Sequence, residues 1–232
     1  MINIQPIEKL NASDGQTLSV HSIFYTIQGE GPFCGCPAVF IRLAGCNLQC
    51  PNCDTEYTQG RTEQSLPLIL KIIHEQLEGV VAGNCDRLVV ITGGEPLRQN
   101  IAPLIKILQG MGFVVQIETN GTLPAQDLRD AVIVCSPKAG KVHNSIRDSV
   151  HYWKYVLDHN NVNPDDGLPI LVLNHSAEPQ VFRPPAKARI YLQPMDANNI
   201  EDNAKNIAVC IASCMRFGYT LQLQTHKLIG MP

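Results

Sequence analysis

The sequence predicts an α/β fold built on a parallel sheet or barrel, and two observations lead to this prediction. The first is a series of apolar runs of strand length, several of them nearly continuous, as expected for strands covered on both faces. The runs occupy residues 20–27, 38–44, 88–92, 114–119, 132–136, 152–157, 190–194 and 220–225. The second is the presence of helical patterns between some of these runs. Because strand–helix–strand alternation favours parallel pairing, the two observations together indicate an α/β domain.

Three segments between the strand-like runs have apolar residues at helical spacing, which is typical of the core-facing side of an amphipathic helix. These residues are Leu66, Ile69, Leu70, Ile73 and Leu77, then Ile101, Leu104, Ile105 and Leu108, and finally Ala204, Ile207, Ala208, Ile211 and Met215. Gly79, Gly110 and Gly218 stand where these helices would stop. The stretch 138–187 is rich in Asn, Asp and Pro, and we expect it to depart from the regular alternation.

Length and composition favour one globular domain. The chain has 232 residues, of which 44% are hydrophobic and 17% charged. We expect residues 1–18 to form a polar leader and residues 19–232 a single domain. The net charge of −3, without a run of Lys or Arg, argues against a nucleic-acid partner. No apolar run approaches the roughly 18 residues that span a bilayer, and no signal peptide is visible, so we expect a cytoplasmic protein without a membrane partner.

Short motifs of residue types that commonly occur in binding and active sites follow six of the apolar runs. They are QGEG after the first, GCNLQCPNCDT after the second, GGEP after the third, NG after the fourth, PK after the fifth and THK after the last. In a parallel sheet or barrel the C-terminal ends of the strands meet on one face, and that face holds the active site. The sequence therefore predicts one composite site at this end of the sheet.

Cys46, Cys50 and Cys53 form a Cx3Cx2C motif on the loop after the second run, in a chain with nine cysteines. Thiolates bind iron–sulfur clusters or zinc, and closely spaced cysteines in a reducing compartment more often bind metal than form disulfides. Three ligands would leave one iron of a four-iron cluster open for a bound molecule. A zinc site completed by a distant Cys or His, and reduced thiols of the core, remain alternatives at this point. Cys34, Cys36, Cys85 and Cys135 are interpreted as ordinary thiols. Cys210 and Cys214, four residues apart on a predicted helix, are interpreted as core residues, with metal ligation as the alternative.

The combination of Cx3Cx2C and TGGEP (92–96) resembles the radical S-adenosylmethionine (SAM) superfamily. The resemblance implies that the three thiolates hold a 4Fe-4S cluster and that the methionyl part of SAM occupies the open iron. Further motifs resemble the 7-carboxy-7-deazaguanine synthases within that superfamily. These are TIQGEG (26–31), GCPAVFIRLAGCNLQC (35–50), CDT (53–55), VITGGEP (90–96), IETNG (117–121), SPK (136–138), QPMD (193–196) and QTHK (224–227).

This family resemblance implies an incomplete parallel β/α barrel, smaller than the usual radical SAM core, and a homodimer. It implies contacts to a pterin substrate from Ile27, Gln28, Gly29, Glu30, Arg42, Thr92, His226 and Pro232. It implies a SAM site lined by Asn52, Asp54, Gly94, Glu95, Ser136, Pro137, Lys138, Gln193, Pro194, Met195 and Asp196. The hydroxyl of Thr55 would bind Mg²⁺. The family usually has an aromatic residue before its third cluster cysteine, where this sequence has Asn52.

The reaction implied by the resemblance is the conversion of 6-carboxy-5,6,7,8-tetrahydropterin to 7-carboxy-7-deazaguanine with loss of ammonia, on the route to queuosine and other deazapurines. A 5′-deoxyadenosyl radical would take a hydrogen atom from C6 of the substrate, after an external reductant such as a flavodoxin or ferredoxin has reduced the cluster. Two rivals share part of the pattern. A glycyl-radical-enzyme activase has the same Cx3Cx2C, but TIQGEG and QTHK favour the pterin. A non-catalytic iron–sulfur or zinc protein would not form 5′-deoxyadenosine.

Overall fold

The computed structural model describes residues 3–51, 53–81, 83, 85, 87–171 and 180–231. Within them, nine strands form one sheet: β1 (Thr17–Ile27), β2 (Pro37–Leu43), β3 (Thr62–Ser65), β4 (Leu88–Gly93), β5 (Val114–Thr119), β6 (Val132–Cys135), β7 (Tyr152–Leu157), β8 (Ile190–Pro194) and β9 (Thr220–Leu221). The α-helices are α1 (Leu66–Gln76), α2 (Ala102–Gly110), α3 (Asn144–Arg147), α4 (Ile200–Phe217) and α5 (Thr225–Leu228). No helix in these ranges has the length and apolar character needed to cross a membrane.

The strand order is β3-β1-β2-β4-β5-β6-β7-β8-β9. Strand β2 and the strands β4 to β9 are parallel to their neighbours in this series. In the described part of the chain the two edge strands do not pair, so the sheet is an incomplete barrel, as the family resemblance implied. The prediction of parallel pairing was wrong for β1, which is antiparallel to both β2 and β3. The connection 28–36 explains this, because it is too short for the crossover that parallel neighbours need. The short polar strand β3 was missed because it has no apolar pattern.

The outer face of the sheet packs against helices and forms the main core. Ile91 of β4 and Ile117 of β5 are fully buried there. The predicted apolar residues Ile69 and Ile73 of α1, and Leu104, Ile105 and Leu108 of α2, are also buried. Burying each such side chain contributes about 1.5–3 kcal/mol, so this layer provides most of the stability of the domain.

Helix α4 is rotated relative to the sequence prediction. The stripe predicted to face the core is exposed, with Ile207 at 38%, Ile211 at 40% and Met215 at 83% relative exposure. The buried side consists of Asn206, Cys210 and Ser213. The Asn206 amide determines this orientation, because it donates to the carbonyl of Met195 (2.8 Å) and its oxygen accepts from the backbone N–H of His159 (2.9 Å). Polar backbone at the ends of two strands therefore outweighs the apolar stripe.

The inner face of the sheet has two layers, because side chains alternate between faces along a strand. Ala38, Leu88 and Val90 form a small apolar cluster toward the start of the parallel strands. Nearer the strand ends, most inner positions are polar, although Val134 and Val156 also line the cavity there. The polar positions are Arg42, Thr92, Gln116, Glu118 and Lys154. Gln116 bonds to Glu118, and the other four residues line two cavities on this face.

The segment that follows β1 forms the floor of this inner space. Since β1 is antiparallel, it ends beside the start of β2, with Ile27 paired to Pro37. The chain then crosses the inner face, where the N–H of Gly31 donates to Oε1 of Gln222 (2.6 Å). A Cβ on Gly31 would lie 3.7 Å from a methyl group of Val134, which shows how closely this segment approaches β6. The QGEG segment thus borders the predicted site as part of its floor. The expectation that this segment lies at the same strand end as the other motifs was wrong.

Candidate active site

Two adjoining cavities lie on the inner face. The first, of about 200 Å³, is lined at the strand ends by Cys46, Cys50, Cys53, Gly94, Ser136, Lys138, Gln193, Met195 and Asp196. The second, of about 330 Å³, is lined by Ile27, Gln28, Gly29, Arg42 and His226. The wall shared by both cavities contains Glu30, Asp54, Thr55, Thr92, Glu118, Lys154 and Gln224. Most residues predicted for SAM therefore line the first cavity, and most residues predicted for the substrate line the second.

Three of the predicted site residues that the structure describes are not part of these walls. Glu95, Pro137 and Pro194 do not line either cavity. Asn52 and Pro232 lie outside the described residues.

The three motif cysteines present their side chains to the first cavity from the loop after β2. Their thiols are free, and burial raises the pKa of Cys46 to about 12 and the pKa of Cys50 and Cys53 above the usual range. Thiolates at these positions therefore need a cationic partner, as bound iron provides. No three His, Cys, Asp or Glu side chains in the described ranges are grouped to hold a single metal ion. Three thiols around one cavity fit an iron–sulfur cluster, which is larger than one ion.

Two glycines allow the GGEP turn to approach the cysteine loop. A Cβ on Gly94 would lie 2.2 Å from the carbonyl oxygen of Gly45 and 3.0 Å from Cβ of Cys46. Gly93 has φ +141°, and a Cβ there would lie 2.1 Å from the carbonyl oxygen of Leu43. Any larger residue at either position would separate the two loops that border the first cavity.

Glu95 has a structural position between the GGEP turn and the NG turn. Its carboxylate is fully buried and accepts hydrogen bonds from the N–H groups of Asn120 (2.7 Å) and Leu97 (2.9 Å) and from the Thr119 hydroxyl (2.7 Å). Burial raises its pKa to about 7 despite these three donors. Asn120 in turn donates to Oδ1 of Asn47 in the cysteine loop (3.0 Å). Glu95 therefore links two loops that border the first cavity.

Glu30 is the centre of a buried polar network in the shared wall. Its carboxylate pairs with the ammonium group of Lys154 and accepts from Nε2 of Gln224 (2.9 Å). Burial alone would raise the pKa of Glu30. The charge of Lys154, with the hydrogen bonds from Lys154 and Gln224, outweighs burial and holds this pKa below its usual range. Glu30 is therefore ionised and fixed in orientation at the boundary between the cavities.

Glu118 and Arg42 place a second pair of opposite charges on the inner face. Glu118 accepts from the side-chain amides of Gln28 and Gln116 (both 3.0 Å) and from the hydroxyl of Thr92 (3.3 Å). The guanidinium of Arg42 lies 5.4 Å from the centre of the Phe24 ring, and burial lowers its pKa. Among the described residues its buried Nε has no hydrogen-bond partner. Arg42 is thus a charged donor still available to a ligand of the second cavity.

The C-terminal segment lines the cavities and packs against the floor, where the N–H of Thr225 donates to the carbonyl of Gly29 (3.2 Å). Lys227 bonds to Asp54 (3.4 Å) and to Asp196 (3.1 Å), so it joins the cysteine loop to the QPMD loop. His226 packs directly on Gly29, where a Cβ would lie 2.1 Å from Nδ1 of the imidazole. These contacts bring the last described residues of the chain together with the segment after β1.

Sequence reasoning missed several residues that build this site. Glu118, Gln224 and Lys227 stand inside the motifs IETNG and QTHK, but no role was assigned to them. Lys154 is a lysine in the apolar strand YWKYVL, and this charge among buried residues was the available signal. No local pattern indicates Asn203 of α4, which donates to Asp196 (3.1 Å) from a different element.

Comparison with known proteins assigns this arrangement to a family. Residues 27–118 match the model of a 4Fe-4S single cluster domain. The chain is 40% identical to the 7-carboxy-7-deazaguanine synthase of Rhodospirillum rubrum over 240 aligned residues, which cover 99% of both chains. It is 37% identical to the synthase of Rickettsia prowazekii, over 100% of this chain and 96% of that one, and 30% identical to that of Escherichia coli K12, over 91% and 98%.

The chain belongs to the 7-carboxy-7-deazaguanine synthase family. It is therefore a radical SAM lyase with a 4Fe-4S cluster that works in deazapurine biosynthesis, and the resemblance found in its motifs is confirmed. The crystal structure of QueE from Escherichia coli superimposes with a TM-score of 0.67 at 25% identity, covering 92% of this chain and 99% of that one. The incomplete barrel is thus shared with a solved structure.

Proposed function

We propose that the protein converts 6-carboxy-5,6,7,8-tetrahydropterin to 7-carboxy-7-deazaguanine with release of ammonia. The observation that carries this proposal is the shared wall. One cavity presents three thiols and the glycine-rich turn, the other presents buried charged groups, and Glu30, Thr92 and Lys154 belong to both. A cofactor in the first cavity and a substrate in the second would touch, as a direct hydrogen transfer requires.

The first cavity would hold the cluster and SAM. When bound and reduced, this pair supplies a 5′-deoxyadenosyl radical that removes the hydrogen atom from C6 of the substrate. The chain's part is to bind and to orient. Cys46, Cys50 and Cys53 would ligate iron, backbone carbonyls of the glycine-rich turn would accept from the SAM ammonium, and Lys138 and Asp196 would offer charges to its polar ends. Lys138 is held in place by a hydrogen bond to Ser136 (2.9 Å).

The second cavity would recognise the fused aminopyrimidinone ring of the substrate. That ring has a planar row of N–H donors and a carbonyl acceptor, which carboxylates and amides match. Glu30 supplies the fixed carboxylate, Gln28 the amide, and Arg42 the free donor for the substrate carboxylate or ring carbonyl. The floor and the C-terminal segment would exclude water from the reacting centre.

Thr55 would contribute its hydroxyl to a Mg²⁺ that also binds the substrate. The hydroxyl lies 3.3 Å from Oδ1 of Asp54 in the shared wall, so hard oxygen ligands are at hand. We expect Thr55→Ala to raise the Mg²⁺ concentration that gives half-maximal rate, with unchanged iron content. An unchanged Mg²⁺ requirement would remove Thr55 from this role.

We further propose that residues 19–232 act as one domain on which the described residues before them pack, that the protein is a homodimer, and that a flavodoxin or ferredoxin reduces the cluster. The volume of the substrate cavity, about 330 Å³, supports a small molecule rather than the protein substrate of an activase. Light scattering of the reconstituted protein tests the dimer. Reduction rates with each purified carrier test the electron donor.

Anaerobic turnover tests the proposed reaction. The reconstituted protein would be mixed with SAM, dithionite, Mg²⁺ and 6-carboxytetrahydropterin, and the products separated by mass spectrometry. We expect 7-carboxy-7-deazaguanine and ammonia from the wild type, neither from Cys50→Ala, and a raised KM for the pterin in Glu30→Gln with full cluster content. Cleavage of SAM to 5′-deoxyadenosine without the deazaguanine would retain the radical chemistry and reject this substrate.

A further inference from the structure

Residues 3–9, termed here the N-terminal strap, lie along residues 44–57, termed the cluster loop. Ile7 forms an isolated parallel bridge with Cys46, and the N–H of Glu8 donates to the Cys46 carbonyl (2.7 Å). At the other end of the strap, the N–H of Asn3 donates to the carbonyl of Pro51 (3.0 Å). The strap therefore spans the loop from its first cysteine to the turn that carries the other two.

The side-chain amide of Gln5 makes two hydrogen bonds to the backbone of the cluster loop, as the backbone of a neighbouring strand would. Its Nε2 donates to the carbonyl of Thr55 (2.9 Å), and its Oε1 accepts from the N–H of Tyr57 (2.9 Å). One amide thus satisfies a backbone acceptor and a backbone donor two residues apart. The carbonyl of Gln5 itself accepts from Nε2 of Gln49 (2.7 Å), so the loop also bonds back to the strap.

Asn3 adds a contact at the second cluster cysteine. Its Nδ2 donates to the carbonyl of Cys50 (3.0 Å), and its Oδ1 accepts from the N–H of Gln5 (3.0 Å). The second bond fixes the strap in the conformation that presents both amides to the loop. Asn3 and Gln5 therefore act as one unit.

The strap makes these contacts without adding apolar side chains to the core. Its two large apolar residues are exposed, Ile4 at 87% and Ile7 at 62%. Hydrophobic burial, the main source of domain stability, therefore gains little from the strap. At its end, Glu8 pairs with Arg98 (3.2 Å) and with Arg61, so that part of the strap is also bonded to the rest of the domain. The contacts of Asn3 and Gln5 outside the strap, in contrast, are all made with the cluster loop.

The cluster loop needs such support because its described residues, 44–51 and 53–57, form no helix and no strand of the sheet. Ordering each residue of such a loop costs roughly 1–2 kcal/mol of conformational entropy. One side is held by the NG turn, where Asn47 donates to the hydroxyl of Thr122 (2.8 Å). The other side is held by the strap.

We propose that the N-terminal strap is part of the cluster site, with Gln5 and Asn3 as positioning residues that hold the loop in the geometry its three thiols need. The 4Fe-4S cluster itself is established by family membership. The inference rests on that cluster, and not on the identity of the substrate.

The test compares Gln5→Met and Asn3→Ala with Ile4→Ala, a matched control whose side chain points away from the loop. Each full-length protein is reconstituted with iron and sulfide, and iron transfer to a chelator is followed anaerobically without SAM or pterin. We expect roughly tenfold faster iron release in both variants, since each loses one or two hydrogen bonds to the loop, and a wild-type rate in the control. The melting temperatures of the apoproteins should stay close together.

A second measurement separates positioning from general destabilisation. The electron paramagnetic resonance spectrum of the reduced cluster should broaden in Gln5→Met and Asn3→Ala, because the loop then samples several arrangements. Wild-type iron release in both variants would overturn the proposal. So would an apoprotein that loses its fold on either substitution, because the strap would then support the domain rather than the cluster. Neither outcome depends on turnover, so a failed substrate assignment would stay distinguishable.

Discussion

The two faces of the sheet have opposite roles although the same strands build them. On β4, Ile91 is fully buried against the helices, while its neighbour Thr92 lines both cavities. On β5, Ile117 and Glu118 show the same alternation. The outer face gains free energy from apolar packing, and the inner face orders charged groups away from bulk water at a cost in stability. Stability and chemistry are thus separated by one residue along a strand.

The largest effect is expected from Lys154→Met on the inner face. It leaves Glu30 buried without its counter-charge, since the paired side chains are only 13% and 11% exposed. We expect unfolding free energy to fall by about 3–5 kcal/mol and kcat/KM to fall more than about 100-fold. Urea denaturation and anaerobic kinetics measure the two effects.

A double variant tests the interpretation of this pair. Lys154→Met with Glu30→Gln removes both charges and should recover most of the lost stability without recovering activity. A double variant as unstable as Lys154→Met alone would show that packing, and not the unpaired carboxylate, causes the loss.

On the outer face, Ile91→Ala should lower the unfolding free energy by about 2–5 kcal/mol, because it leaves a cavity in the main core. Under conditions where the protein stays folded, KM for the pterin and for SAM should match the wild type. Urea denaturation followed by circular dichroism measures the first, and steady-state kinetics the second. A changed KM with unchanged stability would break the proposed separation of the two faces.

The adjacent inner position gives the matched comparison. Thr92→Val keeps the shape of the side chain but removes the hydroxyl that donates to Glu118, so stability should change by no more than about 1 kcal/mol. We expect kcat/KM for the pterin to fall roughly tenfold. If Thr92→Val proves as destabilising as Ile91→Ala, the inner face also carries the fold.

The smallest effect is expected on the exposed side of α4. Met215→Gln should change the unfolding free energy by less than about 0.5 kcal/mol, because this side chain is 83% exposed. Asn206→Leu, on the buried side, should cost about 1–3 kcal/mol, since it removes both hydrogen bonds of the buried amide, to the carbonyl of Met195 and from the N–H of His159. If Met215→Gln lowers the unfolding free energy more than Asn206→Leu does, the apolar stripe and not Asn206 faces the core.

These contrasts also show what the sequence could predict. Strands and motifs were visible because apolar runs and Gly-containing loops are local patterns, and the residues that line the two cavities largely follow from the motifs. The direction of β1 depends on the length of one connection, which was overlooked. The orientation of α4 depends on Asn206 and two distant backbone groups. The pairing of Lys154 with Glu30 joins β7 to the segment after β1, which is far away in the chain. Such contacts arise only from the tertiary structure.

The packing of His226 on Gly29 couples the choice of residue at two positions that are far apart in the chain. A side chain at position 29 would occupy the space of the imidazole. A small residue at position 226 would expose the backbone at position 29. A larger residue at position 29 should therefore require a change at position 226. Among homologous sequences, we expect every larger residue at the first position to be accompanied by the loss of histidine at the second.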